Sequence, residues 1–255
     1  MSDAVDHEAL LEIAVEAARA AGALLLERFG TEEILATKST TTDLVSAADL
    51  AAEAGIREIL ARRAPEDAIM GEEGEDTGGT SGRRWVVDPL DGTVNFLYGL
   101  PMWCVSVACE GLVGVVFDPT RDELFTATAD GPARLNGVPL RPAPPADLAH
   151  TLVASGFGYD TRRRELQAEV IARVIPRARD VRRGGAAALD LAWVAAGRLD
   201  AYYERGINLW DIAAGELICA RAGLRVERLE PAGELPWGLL AAPEAIADDL
   251  RALVA

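Results

Sequence analysis

The sequence predicts a mixed α and β fold in a single domain, with an α+β half over residues 1–140 and an α/β half over residues 150–255. Three observations carry this. Two long stretches with apolar residues three and four apart open the chain. Short apolar runs separated by turn signals follow them and read as a mainly antiparallel sheet. After the Pro-rich connector Leu140–Ala149, helical and strand patterns alternate. A chain of 255 residues can bury one large core or two packed ones.

The first helix runs from Asp6 to Phe29, with Leu10, Ala14, Ala17, Ala21, Leu24 and Leu25 on its apolar face. Asp6 is its N-cap and Gly30 its stop. Thr37–Asp43 has too few apolar residues for core; Lys38 reads as a surface lysine and Asp43 as an Asx-turn residue. A second helix runs from Ser46 to Arg63 and ends before Pro65. It places Asp49 in its first turn, where the helix dipole favours a carboxylate. Ala68–Met70 is a short strand that delivers Gly71-Glu72-Glu73-Gly74-Glu75-Asp76. Trp85–Val87 is another, and it empties into Asp88-Pro89-Leu90-Asp91-Gly92-Thr93. Trp103–Glu110, Leu112–Phe117 and Glu123–Thr128 are successive strands, and Asn136-Gly137 is a hairpin signal. In the second half, Leu152–Ala154, Leu199–Tyr203, Leu224–Val226 and Leu239–Ala242 are strands. Thr161–Ile175, Ala186–Ala196, Trp210–Ala222 and Glu244–Val254 are helices.

Charge excludes several functions. With 25 basic and 41 acidic residues the net charge is −16, which argues against nucleic-acid and anionic-membrane partners. No apolar run is long enough to span a membrane, and the first residues lack the basic start of a secretory signal. Lys38 is the only lysine, so Schiff-base chemistry has one candidate. His7 and His150 lie in a helix and a Pro-rich loop, unsuited to a His-centred triad or zinc site. Cys104, Cys109 and Cys219 have no metal-ligand spacing and read as buried thiols of a reducing cytoplasm. Carboxylate chemistry remains.

Three acidic motifs end an apolar strand or begin a helix: Gly71-Glu72-Glu73, Asp88–Thr93 and Trp210-Asp211. Asp88 and Asp91 flank a proline-containing turn and can converge, and Leu90 between them can offer its carbonyl. Such an all-oxygen set suits magnesium better than zinc or copper. Gly92 and Thr93 present N–H groups where a helix starts, which suits phosphate. Asp-Pro and Asp-Gly are also ordinary turn dipeptides, so these residues alone leave a metal site and a plain turn open.

Together the motifs resemble a known family. Trp85–Phe96 (WVVDPLDGTVNF) is similar to the first signature of the inositol monophosphatase family, and Leu209–Gly215 (LWDIAAG) to its second. Met70–Gly74 and Asp43–Asp49 match its glutamate and early aspartate segments, in family order. The resemblance implies a layered αβαβα sandwich and Mg²⁺-dependent hydrolysis of a phosphate monoester by an activated water, with two to three ions per site. It implies a first ion on Glu72, Asp88 and the Leu90 carbonyl. A second would sit on Asp88, Asp91 and Asp211, and a weaker third would lean on Glu72. Asp49, Glu72 and Thr93 would be catalytic, with Thr93 and Asp49 orienting and deprotonating the water. Asp91, Gly92, Thr93, Ala187, Glu204 and Asp211 would contact substrate. Lithium inhibition and a homodimer are implied too.

Ala201-Tyr202-Tyr203-Glu204 favours myo-inositol 1-phosphate, because the matching glutamate in the family reaches a polyol hydroxyl and repels a second phosphate. Ser155–Tyr159, Val181–Arg183 and Leu189–Leu191 resemble bacterial inositol-1-monophosphatases. Val94 and Ala186 depart from the family's usual hydroxyl residues. Histidinol phosphate and fructose 1,6-bisphosphate are the alternative substrates, and a regulatory binding protein is the alternative of another class.

Overall fold

In the computed structural model, residues 6–31, 34–37 and 44–255 are described; Lys38 and Asp43 lie outside them. Helix α1 (His7–Arg28) starts where Asp6 accepts the Ala9 N–H at 3.0 Å. A short ribbon, β1 (Ile34–Thr37) with β2 (Leu44–Ser46), leads into α2 (Ala47–Arg63). Ser46 and Asp49 close a reciprocal capping box at the start of α2.

A seven-stranded sheet follows. It comprises β3 (Ala68–Gly71), β4 (Arg84–Asp91), β5 (Cys104–Cys109), β6 (Val113–Asp118), β7 (Glu123–Thr128), β8 (Arg134–Leu135) and β9 (Val138–Pro139), in that spatial order. Only β3 pairs in parallel; the other pairings are antiparallel. Asn136 and Gly137 both have positive φ (47° and 81°), the backbone that the Asn-Gly hairpin signal anticipates. The turn helix α3 (Thr93–Leu97) hangs between β4 and β5.

The second sheet holds β10 (Leu152–Ser155), β11 (Asp180–Arg182), β12 (Ala201–Arg205), β13 (Arg225–Leu229) and β14 (Gly238–Ala242), ordered β11-β10-β12-β14-β13. Strands β10, β11 and β12 are parallel, and β14 runs antiparallel to both its neighbours, β12 and β13. Around it lie α4 (Thr161–Val174), α5 (Ala187–Ala195), α6 (Leu209–Arg221) and α7 (Glu244–Val254).

Alternation along the strands stacks the layers. On β5, Val105, Val107 and Cys109 face α1 and α2. Cys104 and Ala108 face the other way, into the layer of α5 and α6. Tyr202 of β12 and Leu239 and Ala241 of β14 reach the same layer from the second sheet. Ala201, Tyr203, Leu240 and Ala242 turn outward onto α4 and α7. The result is helix, sheet, helix, sheet, helix, the αβαβα sandwich that the family resemblance implies. All three cysteines are free and buried, and among the described residues no helix is long and apolar enough to cross a membrane.

Asp67 fastens the start of the first sheet. Its buried carboxylate accepts from Ser81 Oγ at 2.6 Å, Trp85 Nε1 at 2.9 Å and Arg83 at 2.8 Å. Burial pushes its pKa up, but the hydrogen bonds from Arg83, Ser81 and Trp85 outweigh this and hold it below the usual carboxylate value. Its stabilising contribution is therefore present above the unfolded-state pKa and is lost as the pH falls through the lower folded value. Asp67→Ala is expected to cost about 2–3 kcal/mol at pH 7 by urea unfolding. The difference from wild type should shrink below about pH 4.

Candidate active site

Strand β4 carries the first part of the site. In a regular strand, residues three apart point to opposite faces. Here Asp88 pairs with Ser106 and Asp91 with Cys104, so β4 has one more residue than β5 between the two pairs. This bulge at Pro89-Leu90 turns both carboxylates into one cavity. Asp88 Oδ1 fixes the turn by accepting the Leu90 N–H at 3.0 Å.

The chain then reverses at Gly92, whose φ is +97°. A Cβ there would lie 2.8 Å from the Met102 carbonyl and 3.2 Å from Ala186, so both conformation and space require glycine. Phe29, Phe96 and Trp103 pack against one another beneath the turn, with ring centroids 5.1–5.5 Å apart. Thr93 Oγ1 lies 3.0 Å from Asp49 Oδ1 and 3.1 Å from the Leu90 carbonyl, so one hydroxyl proton serves two acceptors. The other Asp49 oxygen accepts from Ser46 N and Oγ at 2.9 and 2.6 Å. Asp49 thus caps α2 and holds Thr93 at once.

Helices of the middle layer supply the opposite wall. Asp91 Oδ2 accepts the Ala188 N–H at 2.6 Å near the start of α5, and the Cys104 thiol lies 3.7 Å from the same oxygen. Asp211, in the first turn of α6, accepts the Asn208 N–H at 2.9 Å. From β12, Glu204 enters the cavity with Oε2 held by the Tyr202 hydroxyl at 2.8 Å, both side chains lying on one strand face. Gly156 makes room: a Cβ there would collide with the Glu204 carboxylate. The cavity measures about 380 Å³, the size of a small-molecule site.

The cavity's electrostatics are dominated by like charges. Burial, then the charges of Glu72, Asp91 and Asp211, push Asp88 far above the ordinary carboxylate pKa. Burial first, and Glu72 next among the charges, raises Asp91, although the Ala188 N–H pulls the other way. Asp211 rises through burial and the Asp91 charge. Glu204 is pushed up to about 7 by burial, against the Tyr202 hydrogen bond and the Arg183 charge. Oxygens of Asp88, Asp91 and Asp211 lie within 4.8 Å of one another. Crowded buried carboxylates with a backbone carbonyl beside them are the donor set of a hard divalent cation, so these residues fit one.

The profile of the inositol monophosphatase family matches residues 6–253. The chain belongs to this family. An inositol-1-monophosphatase from Mycobacterium bovis is 45% identical over 229 residues, covering 84% of this chain and 79% of that protein. A Nus factor SuhB from Pasteurella multocida is 42% identical over 221 residues, covering 84% and 83%. The solved inositol monophosphatase of Anabaena superposes with a TM-score of 0.81 at 34% identity, covering 96% of this chain and 95% of that one. The protein is accordingly a phosphatase, and its family acts on small phosphorylated molecules.

This inositol monophosphatase family member brings the sequence-predicted residues together. Glu72, Asp88, Leu90, Asp91, Gly92, Thr93, Ala187, Glu204 and Asp211 all line the one cavity, and Asp49 stands behind Thr93. Glu75 and Asp76 are exposed, as a solvated loop requires. Trp210, the neighbour of Asp211 at the start of α6, also borders the cavity. The run Arg162-Arg163-Arg164 reads in sequence as a solvated helix face, but it divides. Arg162 pairs with Glu165 and Glu234 outside, whereas Arg163 turns inward, donates to the Gly206 carbonyl at 3.2 Å and lines the cavity. Arg183 lines it too. No local sequence pattern marks Asn95, whose amide bridges the Met102 and Gly184 carbonyls at 2.6 and 2.9 Å. Asp190 is also buried in the wall, its pKa driven up by burial and then by Asp91. A buried acid one turn into an apolar helix was the available signal.

Proposed function

We propose that the protein is a Mg²⁺-dependent phosphomonoesterase that hydrolyses a small polyol or sugar phosphate, with myo-inositol 1-phosphate as the favoured ester. The observation that carries this is the convergence of Asp88, Asp91 and Asp211 beside Glu72 and Thr93 in a cavity of substrate size. Glu72, Asp88, the Leu90 carbonyl, Asp91 and Asp211 would hold the ions. Bound there, divalent cations supply the positive charge that a phosphate dianion requires and make water acidic enough to react near neutral pH.

The chain's own groups account for the remaining work. Thr93 Oγ1, donating to Asp49 Oδ1, presents its lone pairs to the cavity. It takes a proton from the attacking water as it passes its own to Asp49. The Ser46 cap keeps the Asp49 carboxylate aimed for this transfer. Gly92 and Thr93 offer backbone N–H groups to a phosphate oxygen, in the left-handed turn that glycine permits. Glu204, fixed by Tyr202, accepts a hydroxyl of the alcohol portion once it is ionised, and its charge disfavours a second phosphate. The inositol-1-monophosphatase name of the 45% identical relative supports the same ester.

The reading is tested by phosphate release from inositol 1-phosphate, histidinol phosphate and fructose 1,6-bisphosphate. The expected order places inositol 1-phosphate at least about tenfold ahead in kcat/KM, the discrimination one buried polar contact provides. An order led by the bisphosphate would remove Glu204 from this role. The Nus factor relative supports a second, regulatory reading that uses the surface. A partner that co-purifies equally with wild type and Asp91→Asn would establish it beside the catalytic one.

A further inference from the structure

Glu72 stands on the Gly71–Gly74 loop, and its aim depends on what holds that loop. The holder is on α2. Glu53 is 2% exposed, and both its oxygens face the loop from behind. Oε2 accepts the Glu73 N–H at 2.8 Å and Oε1 accepts the Gly74 N–H at 2.8 Å. Oε1 also takes Arg57 Nε at 2.7 Å, which balances the buried charge from the next helical turn. Three donors occupy the carboxylate, so it is committed to the loop rather than to the cavity.

The glycines around Glu72 answer to the same carboxylate. A Cβ on Gly71 would lie 2.5 Å from Glu53 Oε1, and one on Gly74 would lie 2.7 Å from it. Gly-Glu-Glu-Gly is thus the sequence of a loop drawn tight onto a buried acid. Asp49, Glu53 and Arg57 follow one another at four-residue spacing, on one face of one helix. Asp49 holds Thr93 and Glu53 holds the loop of Glu72. One rigid element therefore sets the spacing between the two halves of the site.

We propose that Glu53 is a positioning residue for the metal centre: it clamps the Gly71–Gly74 loop onto α2 so that the Glu72 carboxylate stands beside Asp88. This rests on the reading of Glu72 as a metal ligand given above. Residues that orient a ligand typically change metal affinity by about 10–100-fold when altered.

The test is calorimetric Mg²⁺ titration of wild type, Glu72→Gln, Glu53→Gln and Gly74→Ala, with amide exchange measured on the metal-free proteins. Glu53→Gln keeps the side-chain volume but turns an amide N–H toward a backbone N–H. Gly74→Ala keeps the Glu53 charge and pushes a methyl against it, so it decides the matter should Glu53→Gln fail to fold. Both variants are expected to bind Mg²⁺ about 10–100-fold more weakly. The Glu73 and Gly74 amides should exchange at least about tenfold faster than in wild type. At saturating Mg²⁺ the KM for the ester should stay within about twofold, because uniform substrate binding is untouched. Wild-type Mg²⁺ affinity in both folded variants, with Glu72→Gln weakened, overturns this inference alone. Absence of Mg²⁺ binding in wild type, or no weakening in Glu72→Gln, overturns the metal reading and this inference with it.

Discussion

Asp91→Asn is expected to lose at least about 10³-fold in kcat while leaving the fold intact and making the metal-free protein more stable. Both effects have one source. Asp91 is buried among Asp88, Glu72 and Asp211, and folding raises its pKa through burial and the Glu72 charge. An acid whose pKa is raised on folding gives full stability below its unfolded pKa, and that stability is lost as the pH climbs toward the folded value. Asparagine removes the penalty and still accepts the Ala188 N–H, so the helix contact survives. The advantage of the variant in chelator should be absent near pH 4 and fully developed by about pH 8. It should amount to about 1 kcal/mol or more, a rise in Tm of about 2–4 °C for a chain of this size. Phosphate release and thermal unfolding on the same preparations check both arms. A variant that is inactive and also less stable at pH 8 would mean that the acidic cluster is not under strain.

Thr93→Val is expected to lower kcat by about 10²–10⁴-fold with little change in KM. Valine matches threonine in shape, and the position is the first of a short helix, where a β-branched residue is tolerated. What disappears is the hydroxyl between Asp49 Oδ1 and the cavity. The stability cost should be about 1–3 kcal/mol, the loss of a donor to a buried carboxylate, and no more, because Ser46 still holds the other Asp49 oxygen at the start of α2. A full kcat in Thr93→Val would assign water deprotonation elsewhere.

The parts of the site that are legible in the sequence are those a few residues apart. Asp88, Leu90, Asp91, Gly92 and Thr93 lie in one unbroken motif, and β4 delivers them together. Asp211 announces itself as an acid in the first turn of an apolar helix. The long-range half was hidden. Asp91 meeting Ala188 joins residues 97 apart in the chain, and no local pattern encodes this. Glu53 lay on a helix whose alanines blur the buried stripe, although Asp49, Ala52, Glu53, Ile56 and Leu60 do form one. An acid on that stripe, with glycines flanking Glu72 downstream, was the signal available. In the fold, the long helices and the valine-rich strands were readable because their periods are sustained. The edge strand β11 was not, since Asp180-Val181-Arg182 offers a single apolar residue. The β1–β2 ribbon was missed for a similar reason: each strand is only three or four residues long.

The central claim is that this acidic cavity hydrolyses a phosphate ester only when divalent cations offset its charge. The direct measurement is phosphate release from inositol 1-phosphate by chelator-treated protein, first alone and then with Mg²⁺ returned. The account predicts no turnover without the ion and full recovery at millimolar Mg²⁺. Turnover that persists at the wild-type rate in excess chelator would contradict it.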